Sequence, residues 1–156
     1  MSKDLVLRFA TIEDAQLLLD WRNDPIAREN SFSSEIVKYE EHIKWYNAVL
    51  NDPNIYIYIL EYDGKPIGQT RFSIENNTAD ISYYIATEYR GHGYATKMMS
   101  LAEKKMFDLN SNIIFEAEVK LGNIASQKVF KKLKYELIKA GDILVFQKSL
   151  RRNGHI

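Results

Sequence analysis

The chain contains no cysteine among its 156 residues. Disulfides, thiolate metal sites and a cysteine nucleophile are thereby excluded. Histidine is scarce: His42, His92 and His155 lie far apart and lack metal-ligand spacing, so no metal is expected. With only three prolines and seven glycines, no Pro/Gly/Ser linker divides the chain, and neither a repeat nor a low-complexity stretch occurs. Neither sign of charge dominates, since 21 Lys and Arg balance 21 Asp and Glu. A neutral balance exerts no general pull on nucleic acid or on an acidic membrane, so any phosphate site must be local. No apolar run is long enough to span a bilayer, and Met1-Ser2-Lys3-Asp4 has no apolar signal region. The expectation is a cytoplasmic protein with neither nucleic acid nor membrane as partner.

What is present is a sizeable core. Hydrophobic residues make up 46% of the chain, which argues against disorder and for a single domain over residues 1–150, with residues 151–156 as a frayed tail. Leu5 to Phe9 reads as a strand. Thr11 and Asp14 form a capping pair for a helix carrying Ala15, Leu18, Leu19 and Arg22 on one spacing. Asp24-Pro25 reads as the stop of that helix, with irregular chain to Ser34. A second helix spans Tyr39 to Leu50, and Asn51-Asp52-Pro53 ends it. Three strands follow, Ile55–Tyr62, Pro66–Ile74 and Ala79–Ala86, joined by turns at Asp63-Gly64 and at residues 75–78. Then come a helix over Tyr94–Phe107, a strand over Ile113–Val119, a helix over Asn123–Leu133, and a closing hairpin, Tyr135–Lys139 and Ile143–Lys148. The class is α/β in the α+β sense: a mixed, mostly antiparallel sheet of six to seven strands flanked by about four helices. The strands either side of the Tyr94 helix are expected to be parallel, because a helix carries the crossover.

The segment Arg90-Gly91-His92-Gly93-Tyr94-Ala95 lies between a strand and a helix. A glycine-bearing loop that opens a helix presents unpaired backbone N–H groups at the positive end of the helix dipole, which suits a phosphate group. Gly91 and Gly93 permit positive φ, and Arg90 offers a guanidinium fork. Gly-x-Gly also makes ordinary turns and helix starts, and the loop alone does not choose between the two.

Arg90-x-x-Gly93-x-Ala95, in this order of elements, resembles the signature of the GNAT superfamily of acetyl-CoA-dependent N-acetyltransferases. Asn123, Ser126 and Phe130, followed by Leu133 and Tyr135, resemble a second element of that superfamily. The likeness covers about Leu5 to Leu150 and implies the GNAT fold, with acetyl-CoA as co-substrate. Carried over by position, it implies that backbone amides near Ile85 and Ala86 bind the pantetheine arm. Gly91, His92, Gly93, Tyr94 and Ala95, aided by Arg90, would hold the pyrophosphate, while Asn123 and Ser126 border the thioester. Phe130 stands where many members have a tyrosine that protonates the departing thiolate, and phenylalanine has no proton to give.

The N-terminal third carries Trp21-Arg22-Asn23-Asp24-Pro25, Arg28 and His42-x-x-Trp45, and Arg71 follows on a strand. This set resembles the N-acetyltransferases that act on UDP-linked 4-amino-4,6-dideoxy sugars in pseudaminic-acid biosynthesis. The resemblance implies a small-molecule amine as partner, with Trp21, Arg22, Asn23, Arg28, His42, Trp45 and Arg71 around it. Arginines suit its diphosphate, and aromatic rings suit its base or sugar. A protein N-terminal amine as acceptor, and a CoA-binding module without turnover, are the alternatives; oligomeric state is left open, a homodimer included. The amine must lose a proton to attack. Glu118 is one base for that role and His42 another, Tyr84 can orient the amine or relay a proton, and Ser126 is one replacement acid.

Overall fold

In the computed structural model, which describes residues 4–150, seven strands form one sheet in the order β1-β2-β3-β4-β5-β7-β6. The strands are β1 (Leu5–Phe9), β2 (Ile55–Tyr62), β3 (Lys65–Glu75), β4 (Thr78–Ile85), β5 (Ile114–Lys120), β6 (Glu136–Lys139) and β7 (Ile143–Ser149). The helices are α1 (Ala15–Arg22), α2 (Pro25–Asn30), α3 (Tyr39–Leu50), α4 (Tyr94–Leu109) and α5 (Ile124–Lys132). β1 to β4 form an antiparallel meander, β4 and β5 are parallel, and β5, β7 and β6 are antiparallel. No helix among the described residues is long and apolar enough to cross a membrane.

Strand alternation divides the core between the two faces of the sheet. Tyr58 and Leu60 of β2 join Met98, Met99, Ala102 and Met106 of α4 and Phe130 of α5 on one face. Ile57 and Ile59, their neighbours on β2, join Ala15 and Leu18 of α1 and Tyr46 and Val49 of α3 on the other. The methionine row of α4 is fully buried, as its helical spacing predicts. Glu103 lies buried in the same helix because its partners are buried with it. Tyr135 Oη donates to its carboxylate at 2.7 Å and Lys148 Nζ at 2.9 Å, tying α4 to β7.

One element was not expected. Asp24-Pro25 starts a helix as well as ending one. The Asp24 carboxylate accepts from Ile26 N–H and proline takes the first helical position, so the pair is a cap for α2. The segment after α2 is held by Asn23, whose side chain both donates to Val37 C=O and accepts from Val37 N–H, each at 2.8 Å. Residues 151–156, read as a frayed tail, lie outside the described residues.

The feature that makes a site is the short ladder between β4 and β5. It runs only from Thr78 opposite Ile114 to Asp80 opposite Glu116. Both strands continue for several residues, to Ile85 and Lys120, without pairing to each other. The sheet therefore opens into a wedge toward the carboxyl end of both strands.

Candidate active site

The wedge widens into a cleft of about 980 Å³ that reaches both faces of the sheet. On the face of α4 and α5, the loop before α4 forms one wall. Gly91 and Gly93 have φ of +80° and +81°, in the left-handed region that glycine adopts without strain. A Cβ placed on either would meet nothing within 4 Å, so the space above the loop is open. The helix begins with Lys97 N–H bonded to Gly93 C=O, so the amides of Tyr94, Ala95 and Thr96 have no partner within the helix and face outward at its positive end. These residues fit a pyrophosphate.

The register of β3 and β4 sets the direction of the neighbouring amides. Ala86 N–H donates to Ile67 C=O at 2.8 Å, which makes that pair and every second pair along the ladder hydrogen-bonded. Ala86 is thus committed to the sheet and does not bind a ligand through its amide, contrary to expectation. The Ile85 amide falls between bonded pairs and points away from β3, into the wedge.

Arg90 also departs from expectation. Its Nε donates to Ile85 C=O at 2.7 Å, its Nη2 pairs with Asp24 at 2.8 Å, and its guanidinium stacks over Tyr84. It braces the loop rather than reaching out as a phosphate fork. Tyr84 is part of the same node, donating its hydroxyl to Asp24 at 2.6 Å, and burial together with that carboxylate raises its pKa. A phenol so engaged is not free to relay a proton. The Asp24 carboxyl itself is held below its ordinary range: burial opposes this, and the bonds from Tyr84 and Arg90 outweigh it. His92 is exposed at the loop tip and does not line the cleft.

Across the wedge, Asn123 Oδ1 caps α5 by accepting Ser126 N–H at 3.2 Å, so that oxygen serves the helix. Ser126 Oγ lies 2.7 Å from the hydroxyl of Tyr83. Tyr83 is a cleft residue the sequence reading missed; it sits next to Tyr84, and only the strand's period of two separates their faces.

The opposite face, under α1 and α3, gathers Trp21, Arg22, Trp45 and Arg71. The Arg22 and Arg71 guanidinium carbons lie 4.7 and 5.3 Å from the Trp45 ring centroid. Among the described residues neither guanidinium makes a hydrogen bond or a salt bridge. Burial, the largest influence, weakens the hold of both on their protons; Glu41 opposes this at Arg22, and at Arg71 repulsion by Arg22 adds to it while Asp80 opposes it. Trp21 packs on Tyr84 with centroids 5.3 Å apart. Glu118 and Asp80 line the same face. Asp80, which the sequence reading also missed, has its carboxyl pushed up by loss of water and by Glu118 and Glu116, with Arg71 opposing; the residue itself is exposed, so the charge crowding is the firmer part of that effect.

Three residues expected at the acceptor do not reach it. Asn23 is spent on Val37. Arg28 lies outside the cleft and bonds Asn23 C=O through Nε and Ser34 C=O through Nη1. His42 abuts the cleft but is 0% exposed, and its Nε2 donates to Ala15 C=O at 2.8 Å. Because a carbonyl only accepts, the Nε2 bond fixes the tautomer and leaves Nδ1 without a partner. Burial, the largest influence, lowers its pKa and keeps it neutral. A ring so enclosed supports Trp45 and Tyr46, on which it stacks, and cannot reach a bulk substrate amine.

The sheet is thus split, with a helix N-terminus at the mouth on one face and a basic aromatic wall on the other. The profile of the acetyltransferase (GNAT) family matches residues 16–135, well over half of the chain, and the chain belongs to that family and is an acetyltransferase. Its fold is similar to a domain from Methanocaldococcus jannaschii DSM 2661, with TM-score 0.83 and 22% identity over 96% of this chain and 100% of that one. It is similar to RimL, a ribosomal-protein α-N-acetyltransferase solved with coenzyme A, at TM-score 0.81 and 17% identity over 94% of each chain. It is also similar to the aminoglycoside acetyltransferase AAC(6')-Ib, solved with coenzyme A, at TM-score 0.82 and 16% identity over 95% of this chain and 96% of that one. No curated protein matches the chain.

Proposed function

We propose that this acetyltransferase acts on the 4-amino group of a UDP-linked amino-deoxy sugar, with acetyl-CoA lying along the wedge between β4 and β5. The observation that carries the reading is the pair of unpartnered guanidinia of Arg22 and Arg71 on one Trp45 ring. Glu41 and Asp80 attract the two arginines through space but bond neither, so the forked donors of both remain for an anion. A diphosphate supplies two negative groups and accepts such donors. An N-terminal peptide amine brings no comparable anion, and an aminoglycoside brings further cations.

Trp45 is then the platform that orients the arginines, since both guanidinia lie against its ring. Phe32, 58% exposed on the cleft rim with Lys120 Nζ 5.9 Å from its ring centroid, offers an aromatic surface for the base. Bound acetyl-CoA supplies an activated acetyl group as a thioester. The chain's own part is to hold the diphosphate ends of both ligands and bring the amine and carbonyl together. Asp80 and Glu118 receive the amine proton; the raised Asp80 carboxyl brings its pKa nearer the working pH, which suits a base. The Ile85 N–H, directed into the wedge, is available to the carbonyl oxygen as negative charge grows on it.

Acetyl transfer measured on a panel tests the reading. The panel holds a UDP-4-amino-4,6-dideoxy sugar, the same sugar without nucleotide, an aminoglycoside and a peptide with a free N-terminus. The UDP-sugar is expected to have the highest kcat/KM, and removing the nucleotide is expected to raise KM. Preference for the peptide would refute the acceptor assignment and leave the acetyltransferase standing.

A further inference from the structure

We propose that Tyr83, positioned by Ser126, is the acid that protonates the departing thiolate; this rests on acetyl-CoA occupying the wedge as argued above. The two hydroxyls approach each other from opposite sides of the opening, Tyr83 from β4 and Ser126 from the first turn of α5. Tyr83 lies beyond Asp80, where the parallel ladder has ended, so its hydroxyl lies in the gap and not in the sheet. Its ring rests edge-on against Phe130, centroids 6.0 Å apart. Phe130 follows Ser126 by four residues and shares its helix face. Its ring is 2% exposed and carries no proton. The ring at Phe130 thus supports a phenol that arrives from the neighbouring strand.

Among the described residues no other phenol that lines the cleft bonds Ser126. Tyr84 points to the opposite face and donates to Asp24. Tyr89 and Tyr94 pack with Tyr62 in an aromatic group beside the glycine loop. The Ser126 hydroxyl is a far weaker acid than a phenol and serves better to orient one. Burial pushes the Tyr83 phenol above its ordinary pKa of about 10, so it stays protonated over the working range. The same loss of water makes a thiolate in the wedge more basic than a free thiolate, which keeps donor and acceptor matched.

The step balances. As the carbon–sulfur bond breaks, its electron pair goes to sulfur. The Tyr83 O–H bond breaks and an S–H bond forms. The resulting phenolate is held by the Ser126 hydroxyl, which turns to donate, and it regains a proton from solvent as CoA leaves. The amine has meanwhile given one proton to the carboxylates on the other face, so one proton is lost and one is gained.

Two measurements on the full chain test this, with CoA and acetyl-CoA as probes and Y83F and S126A as variants. The first is the pH titration of the bound CoA thiol, read by thiolate absorbance. Loss of the phenol donor in Y83F is expected to raise that thiol's pKa by about one unit, as a hydrogen bond to the charged form lowers it. The S126A shift is expected to be smaller. The second is turnover of the amine that wild type acetylates fastest. Y83F is expected to lose about 10²-fold in kcat while KM for acetyl-CoA holds. The phenyl ring is retained in Y83F and only the bond to Ser126 is lost, so the melting temperature is expected to fall by no more than about 2–6 °C. Intact CoA binding with an unmoved thiol titration, or wild-type kcat in Y83F, overturns the role of Tyr83 alone. Failure of wild type to bind CoA overturns the placement of acetyl-CoA, and this role with it.

Discussion

Replacing Arg71 by Met removes one guanidinium from the acceptor wall while nearly preserving side-chain length. A charge-assisted hydrogen bond contributes about 1.5–3 kcal/mol, so loss of the Arg71 contact is expected to weaken a diphosphate ligand roughly 10- to 150-fold. UDP is the simplest probe. At a hundred times its Kd a ligand stabilises the native state by about 2.7 kcal/mol. For a chain of this length each kcal/mol raises Tm by about 2–4 °C. Wild type is therefore expected to gain about 5–10 °C from UDP. At the same UDP concentration the variant retains only about 0.3–1.4 kcal/mol, or roughly 1–5 °C. The unliganded variant makes the comparison fair. It is relieved of repulsion by Arg22 but loses the attraction of Asp80 and the stacking of Arg71 on Trp45, the latter about 0.5–1 kcal/mol at a partly exposed site. These effects oppose each other, and the unliganded melting temperatures are expected to lie close together. A thermal-shift series in UDP, repeated at high salt to screen the contact, reads the outcome. Equal UDP shifts in wild type and R71M, or none in wild type while CoA still shifts it, would show that the arginine pair is not a diphosphate site.

Gly93→Val places a β-branched residue in the left-handed region at the start of α4, a local strain of about 1–2 kcal/mol, and fills the space above the amides. Calorimetry is expected to show at least a tenfold loss of acetyl-CoA affinity with the circular dichroism unchanged; unaltered affinity would remove the loop from the donor site. Gly68→Ala puts a Cβ 2.7 Å from the Tyr84 carbonyl and 2.7 Å from Ile85 Cδ1, an overpacking cost of about 1–3 kcal/mol, and the melting temperature is expected to fall by about 2–12 °C. Asp24→Asn keeps the cap of α2 but discharges the node with Arg90 and Tyr84. Because the folded Asp24 pKa is depressed, its contribution is complete above the unfolded value of about 3.9 and is lost as pH falls through the folded value. The variant is expected to be less stable than wild type by about 1–3 kcal/mol at neutral pH, with the gap closing in acid melts below about pH 4; a constant gap would mean that the carboxylate charge is not what Asp24 contributes.

Elements with a strong period were legible from the sequence, because burial on one face writes itself into residue spacing. Tyr39–Leu50 and Ile55–Tyr62 fall where their patterns put them, and the other strands and helices lie within one or two residues. The six residues of α2 are too few to show a period, and their start signal, Asp24-Pro25, reads equally as a stop. The glycine loop was legible for a different reason: positive φ is a local demand that glycine answers at the position itself. Side-chain roles that depend on long-range pairing were not legible. Arg90 looks like a phosphate clamp until Asp24, far back in the chain, takes its charge, and Tyr84 looks like a relay until the same carboxylate takes its hydroxyl. His42 and Arg28 look like ligand contacts because their types are reactive, and only packing shows one enclosed and the other bound to its own loop. Tyr83 was overlooked because nothing in its neighbourhood along the chain announces Ser126.

The last strand before the glycine loop explains how one site serves two ligands. Along β4, Tyr84 faces α1 and α2 while Tyr83 faces α5, and the residue after them, Ile85, turns its amide edgewise into the wedge. On the proposed reading, thiolate acid and oxyanion donor, Tyr83 and Ile85, therefore come from a single strand, two residues apart. Their mutual spacing is fixed by strand geometry of about 3.3 Å per residue and not by the positions of separate loops. Freedom is confined to what lies on either side. The Asp24 node ties the N-terminus of α2 to Arg90 beside the donor loop, and Lys120 Nζ, donating to Glu29 C=O at 3.1 Å, ties the same helix to β5. α2 thus bridges the two strands where the sheet has come apart. On the proposed reading the acceptor is held by α1 and α3 together with Arg71 of β3, its proton is taken by Asp80 of β4 and Glu118 of β5, and the thiolate acid and oxyanion donor belong to β4.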